Sequence, residues 1–396
     1  YSGSTGKEGL TAHLVFYDPS SPPASIKDKI VVFQSPPHPE PPLSEQYKAS
    51  FTITDHEYMS DPEAFPPMFT RIPTRENVSA DVWWQIQQKR RIYEIIQTGG
   101  AAGCLVVFNM PYLRLGGLYT FPTPRAYSIP TLYLDREAGE KVIEDAKKGK
   151  MATMKLTAWT ELTETYQLIG YLPGKNYGTS NDEQILLVTH TDGPCISQEN
   201  GALGLLGIVS NLSRMSQKGR PRTLAILMDN RHFMPGGERA FADQHWFTKN
   251  PGAKQPIITY VSLEHLGQIE YRETEKGIEP TGLVEISYFW TANNQDFIDI
   301  IIKGIKNNKM PRVMVKCIDR PGIHGQQQGV WLGMGSPSTL WSLPGCAMMG
   351  TMGAYWTTTS RIDRFNSELF CIQVETMTQV AKELMEIDLE KITSSK

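Results

Sequence analysis

Apolar and polar positions change rhythm near residue 160. Before it, short β-type runs dominate: Leu10 to Tyr17, Ile30 to Gln34, Gly103 to Phe108, Pro130 to Leu134 and Met151 to Leu156. One amphipathic helix is predicted over Asp81 to Gln97, stopped by Gly99-Gly100. The stretch from 35 to 75 is crowded with prolines and has no period, so it reads as a long loop or lid. After Glu161, strand-length apolar runs alternate with helical ones. Strands are predicted at Gln167 to Leu172, Ile185 to Thr189, Thr223 to Asp229, Ile257 to Leu263, Leu283 to Trp290, Arg312 to Ile318 and Thr339 to Leu343. Helices are predicted at Gly201 to Gln217, Gly237 to Phe247, Asn294 to Asn307 and Asn366 to Leu389. This alternation predicts an α/β fold with a mostly parallel twisted sheet flanked by helices over 161–396, and a smaller β-rich domain over 1–160.

The chemistry gathers where the strand runs stop. Ile185 to Thr189 runs out into His190-Thr-Asp192, and Gln198-Glu199-Asn200 then opens a Gly/Ala/Leu-rich helix. Thr223 to Asp229 runs into Asn230, Arg231 and His232; Ile257 to Leu263 runs into Glu264 and His265; Arg312 to Asp319 leads to His324. Ligands of parallel α/β sheets bind outside the carboxyl ends of the strands. Four of the eight histidines follow strand-like runs, which points to a metal or acid-base site on one rim of a sheet.

Composition narrows the classes of function. With 396 residues the chain is long enough for two domains with cores of their own. A net charge of −3 without a basic block argues against a nucleic-acid partner. No apolar run has the length of a membrane span. The five cysteines are odd in number, well separated and lack CxxC spacing, so buried free thiols are expected rather than a disulfide framework or a closed zinc site. The chain starts at Tyr1 with nothing like a signal peptide, so a secreted and a cytoplasmic location both stay open, as does a homodimer.

Two parts of the chain resemble a known pairing. Residues 9–157, through Ala24-Ser-Ile-Lys-Asp-Lys-Ile-Val-Val, Gly99-Gly-Ala-Ala-Gly-Cys-Leu-Val-Val-Phe-Asn and Ser128-Ile-Pro-Thr-Leu-Tyr-Leu, resemble a protease-associated domain. Residues 165–388 resemble the catalytic domain of the co-catalytic zinc aminopeptidases, a superfamily that also holds glutamate carboxypeptidase, glutaminyl cyclase and the transferrin receptor. The resemblance implies that His190 is a zinc ligand, with Asp192 orienting its imidazole from behind. It places the bridging carboxylate on Glu199, where the family has Asp, and a further ligand on Glu264. These are donors suited to zinc.

The chain also departs from the family pattern. The family's Glu-Glu pair, general base then ligand, falls on Arg231 and His232. A guanidinium cannot accept a proton at neutral pH, so Arg231 suits a substrate carboxylate or an oxyanion instead. The family's last histidine falls on Trp356, beside Tyr355, and tryptophan binds no zinc; these rings suit a pocket wall, as does His265. The expectation is therefore a divergent hydrolase with one metal, most simply zinc, held by His190, Glu199, Glu264 and His232 and acting on an amide or ester. Asp229, Glu238 or His324 are the candidates to move protons. Two other classes stay open. One is a non-hydrolytic enzyme on the same scaffold, such as a cyclase, isomerase or lyase; the other is a receptor-like binding protein with no metal at all.

Overall fold

The computed structural model describes residues 2–35, 53–60, 92–116, 128–159, 166–191, 200–230, 256–274, 277–317, 343–350 and 365–393, with isolated positions at 161, 164, 193, 196, 334 and 362. The predicted helix at Gly237 to Phe247 lies outside these residues, as does most of Asp81 to Gln97, of which 92–98 is helical.

The first sheet has five strands: β1 (Leu10–Phe16), β2 (Ile30–Gln34), β4 (Gly103–Val107), β5 (Thr131–Leu134) and β6 (Met151–Met154). Their order is β5-β4-β2-β1-β6, parallel except for β6, which pairs antiparallel with β1. A short helix, α1 (Tyr112–Leu115), follows β4, and α2 (Arg136–Lys147) covers one face. The Asp135 carboxylate accepts from the Ala138 N–H and caps α2, which buries Gly139, Ile143 and Ala146. Sequence rhythm does not predict α2, whose buried residues are only Gly139, Ile143 and Ala146. On the opposite face Ile92, Tyr93 and Ile96 pack with Val31, Phe33 and Val106.

The second sheet carries the strand ends of interest. Its order is β3-β14-β13-β15-β10-β8-β9-β7. The members are β3 (Tyr58–Met59), β7 (Leu168–Leu172), β8 (Gln184–His190), β9 (Thr223–Asp229), β10 (Ile257–Glu264), β13 (Ser287–Thr291), β14 (Val313–Cys317) and β15 (Gly345–Gly350). Strands β9, β8, β10 and β15 are parallel neighbours. The helices α3 (Gly201–Ser213), α4 (Gln295–Asn307) and α5 (Ser367–Glu386) pack on one face, where Leu205, Ile301, Met377 and Val380 meet Leu187, Val261, Phe289 and Val315. A last short helix, α6 (Leu389–Thr393), closes the described chain. The architecture is the expected α/β fold: a twisted, mostly parallel sheet flanked by helices.

Three details differ from the sequence reading. The predicted strand at Leu283 to Trp290 is two strands: β12 (Gly277–Val284), which forms a hairpin with β11 (Ile269–Thr274), and the separate β13. The strand expected at Thr339 to Leu343 lies mostly outside the described residues; the sheet strand there is β15, a few residues later. Most consequential, β13 pairs antiparallel with β15 and parallel with β14. Strand β14 therefore runs against β8, β9 and β10, and its carboxyl end at Cys317 lies on the opposite rim. A strand's direction is set by its connections, which hydrophobic rhythm does not encode.

The proline-crowded stretch is not all loop. Strand β3 pairs antiparallel with β14, and Val313 donates its N–H to the Ser60 hydroxyl at 2.7 Å. Beside them the Glu57 carboxylate accepts from the Cys317 N–H at 2.8 Å and faces the Lys316 ammonium at 3.9 Å, both side chains fully buried. Removing one member of a buried ion pair leaves the other charge in a poor dielectric. Glu57→Ala is thus expected to lower unfolding free energy by about 3–5 kcal/mol in urea titration. Glu57→Gln combined with Lys316→Met should recover most of that loss, whereas breaking the exposed Lys382–Glu386 pair should cost under about 1 kcal/mol.

Candidate functional site

Three adjacent parallel strands end side by side. His190 of β8 is in register with Asp229 of β9, and Ser262 of β10 with Val188, which sets Glu264 level with His190. Alternation along each strand gives these three residues the same face as Leu186, Val188, Leu227 and Tyr260, away from α3 and α5. All three are buried to within 1% of complete. The Nε2 of His190 lies 3.2 Å from the Glu264 Oε2, while the Glu264 Oε1 accepts from the Met334 N–H at 2.8 Å. Each oxygen of that carboxylate thus has its own neighbour, which fixes its orientation.

His265 joins this pair. Its Nε2 lies 3.9 Å from the Glu264 Oε2, and its ring meets that of His190 edge-to-face at 5.6 Å. The ligand atoms of His190, Glu264 and His265 all fall within 4.8 Å of one another. Regular alternation would send His265 to the other face from Glu264. Its φ of +56° breaks the alternation and turns it back.

The turn beyond is held from several sides. Asn200, at the start of α3, donates its amide to the Leu266 carbonyl at 2.6 Å and accepts from the Leu266 N–H at 2.9 Å. Gln373 of α5 accepts from the Gly267 N–H at 2.7 Å, and the Asn366 N–H donates to the Gly267 carbonyl. Gly267 takes a φ of +65°, a conformation that favours glycine. On the β9 side, both the Thr191 N–H and its hydroxyl donate to the Asp229 carbonyl.

Of the residues singled out from sequence, His190, Asp229, Glu264 and His265 are thus brought to one rim. Asp192, Glu199, Arg231, His232, His324, Tyr355 and Trp356 lie outside the described residues. Asn200, read only as the partner of Glu199, is a structural clamp that sequence did not single out. Four of the five cysteines are described, with no disulfide among them: Cys104, Cys317 and Cys346 are buried and Cys371 is exposed. Burial pushes the Cys346 thiol up to about 12, so it is inert as a nucleophile or ligand.

The described helices include none long and apolar enough to cross a membrane. The parallel sheet, its antiparallel edges and the helices on its face make a zinc-exopeptidase-like fold. Among solved structures, the zinc aminopeptidase BSAP from Bacillus subtilis is similar to 99% of this chain, over 80% of its own, with a TM-score of 0.58 and 14% identity. A peptidase M28 precursor from Shewanella amazonensis matches 97% of this chain and 76% of its own at 0.57 and 14% identity. The aminopeptidase of Aneurinibacillus sp. strain AM-1 matches 96% and 75% at 0.55 and 11% identity. No protein-family model and no curated protein sequence matches the chain. At these identities the likeness is one of fold.

Proposed function

We propose that the chain is a divergent metallopeptidase-like hydrolase that uses one bound zinc ion to act on an amide or ester of a small substrate or peptide. The observation that carries this reading is the His190–Glu264 contact at the end of adjacent parallel strands, on a fold shared with zinc aminopeptidases. The donors fit the ion: imidazole nitrogen and carboxylate oxygen are the borderline-hard set zinc takes. Ligand atoms about 3.4 Å apart are what a tetrahedral ion with bonds near 2.1 Å requires; the 3.2 Å separation is close to it. His190, Glu199 and Glu264 would hold the ion, with His232 as a further ligand and Asp192 behind His190. When bound, zinc supplies polarisation of a carbonyl or acidification of a water.

The chain's own groups then divide the remaining work. Arg231 would bind a substrate carboxylate or the oxyanion, and Asp229 or His324 would carry the proton, Asp229 from its buried place beside His190. Tyr355 and Trp356 would wall the pocket. Residues 1–160 would form a domain of the protease-associated type, except that residues 53–60 join the second sheet.

The test is zinc content by elemental mass spectrometry on protein purified without chelator, followed by a screen of amide and ester substrates. About one zinc per chain, lost in His190→Ala, with chelator-sensitive hydrolysis, is the expected result. Two zinc ions per chain would overturn the single-metal account, and a metal-free, inactive protein would leave the receptor-like class.

A further inference from the structure

The geometry points to His265 as a metal ligand, so that His190, Glu264 and His265 together form a three-donor site. This rests on the metal-site reading above and goes past it. The resemblance makes His265 a pocket wall, and it places the further donors on Glu199 and His232.

Two independent observations support the assignment. The first is position: three buried side chains offer two imidazole nitrogens and one carboxylate oxygen within 4.8 Å of one another. Two histidines and one carboxylate are a recurrent protein donor set for catalytic zinc, with the fourth position open to water or substrate. The Glu264 Oε2 lies between the two rings, 3.2 Å from one Nε2 and 3.9 Å from the other, and its Oε1 is fixed by Met334. A preset carboxylate of this kind orients a ligand set rather than merely filling space.

The second observation is backbone. Non-glycine residues adopt a positive φ at a cost, and such residues cluster where a side chain must be aimed. Here the cost is borne at the one residue whose reversal moves an imidazole from the helix face to the face of His190 and Glu264. The surroundings fix that reversal. Asn200 grips both polar groups of the Leu266 backbone, and Gln373 and Asn366 grip Gly267. A Cβ on Gly350 would stand 2.0 Å from the His265 carbonyl oxygen, so β15 presses directly against the turn.

The assignment is tested by titrating the full chain with Zn2+ against a competing chelator, and by recording the visible spectrum of the Co2+-loaded protein. His265→Ala is expected to weaken Zn2+ binding by at least about 100-fold, beyond the range typical of residues that only orient a ligand. His265→Gln keeps the bulk should the alanine variant fail to fold, and should show the same loss. His265→Cys is expected to regain binding and to add a sulfur-to-cobalt charge-transfer band, which a packing residue could not produce. If both His265→Ala and His265→Gln bind normally with an unchanged cobalt spectrum while His190→Ala has lost the ion, His265 is no ligand. If the parent chain binds no Zn2+, the metal reading falls and this assignment with it. Zinc bound through His265 in a protein that hydrolyses nothing would overturn the proposed hydrolase alone.

Discussion

Glu264→Gln is expected to fold and yet to lose Zn2+ affinity by at least about 100-fold. The glutamine oxygen can still accept from the Met334 N–H, now 2.8 Å from Oε1, so the anchor to that backbone is kept. Its other terminal atom becomes an amide nitrogen, which carries no charge and donates where the ion would sit. The contact that Oε2 now makes with His190 at 3.2 Å thereby changes from ligand geometry to an ordinary hydrogen bond. Glu264→Asp is the complementary probe. It keeps the charge but is one carbon shorter, so it cannot reach both Met334 and His190, and an intermediate affinity is expected. Thermal unfolding with and without Zn2+ reads both variants. An ion that binds only the folded chain at about 100 times its Kd stabilises by about 2.7 kcal/mol. The parent should show that upward shift in Tm, Glu264→Gln should show none, and a full shift in Glu264→Gln would move the ion elsewhere.

How far the site could be read from sequence differs from strand to strand. His190, Asp229 and Glu264 were legible because each ends an apolar run on a parallel strand, and such runs end at a common rim. The same rule misplaces the run before His324: β14 is reversed relative to β8, and reversal depends on connections that leave no periodic mark. His265 was illegible for a local reason. Alternation assigns consecutive residues to opposite faces, and only a left-handed φ, supported by contacts from α3, α5 and β15, returns it to the face of Glu264. The hint available was Gly267 two residues on, which marks a turn without saying where it begins. In the same way β3 was hidden because a two-residue strand has no rhythm, although Glu57 and Ser60 tie it firmly to β14.

Gly201→Ala is expected to destabilise the fold and loosen the site together. Gly201 opens α3, and a Cβ there would stand 2.0 Å from the Thr189 hydroxyl and 2.7 Å from the Leu263 carbonyl oxygen. Neither neighbour is the tip of a flexible chain: Thr189 is β-branched and sits one residue before the end of buried β8, and Leu263 contributes backbone from β10. The helix must therefore back away, although alanine is the better helix former by about 1 kcal/mol. Over-packing of this kind costs about 1–3 kcal/mol or more. Its second effect falls on the site, because the preceding residue is Asn200, whose two bonds to Leu266 hold the turn that aims His265. Urea denaturation should therefore show Gly201→Ala unfolding at markedly lower denaturant, and Zn2+ titration should show weakened binding in the fraction that stays folded. Leu203→Ala, two residues along the same helix but 54% exposed, should change stability by no more than about 0.5 kcal/mol. Equal behaviour of the two variants would mean that α3 is not seated tightly on β8 and β10. Loss of stability without loss of Zn2+ affinity would instead separate the helix contact from the aiming of His265, and would leave Asn200 as a purely structural clamp.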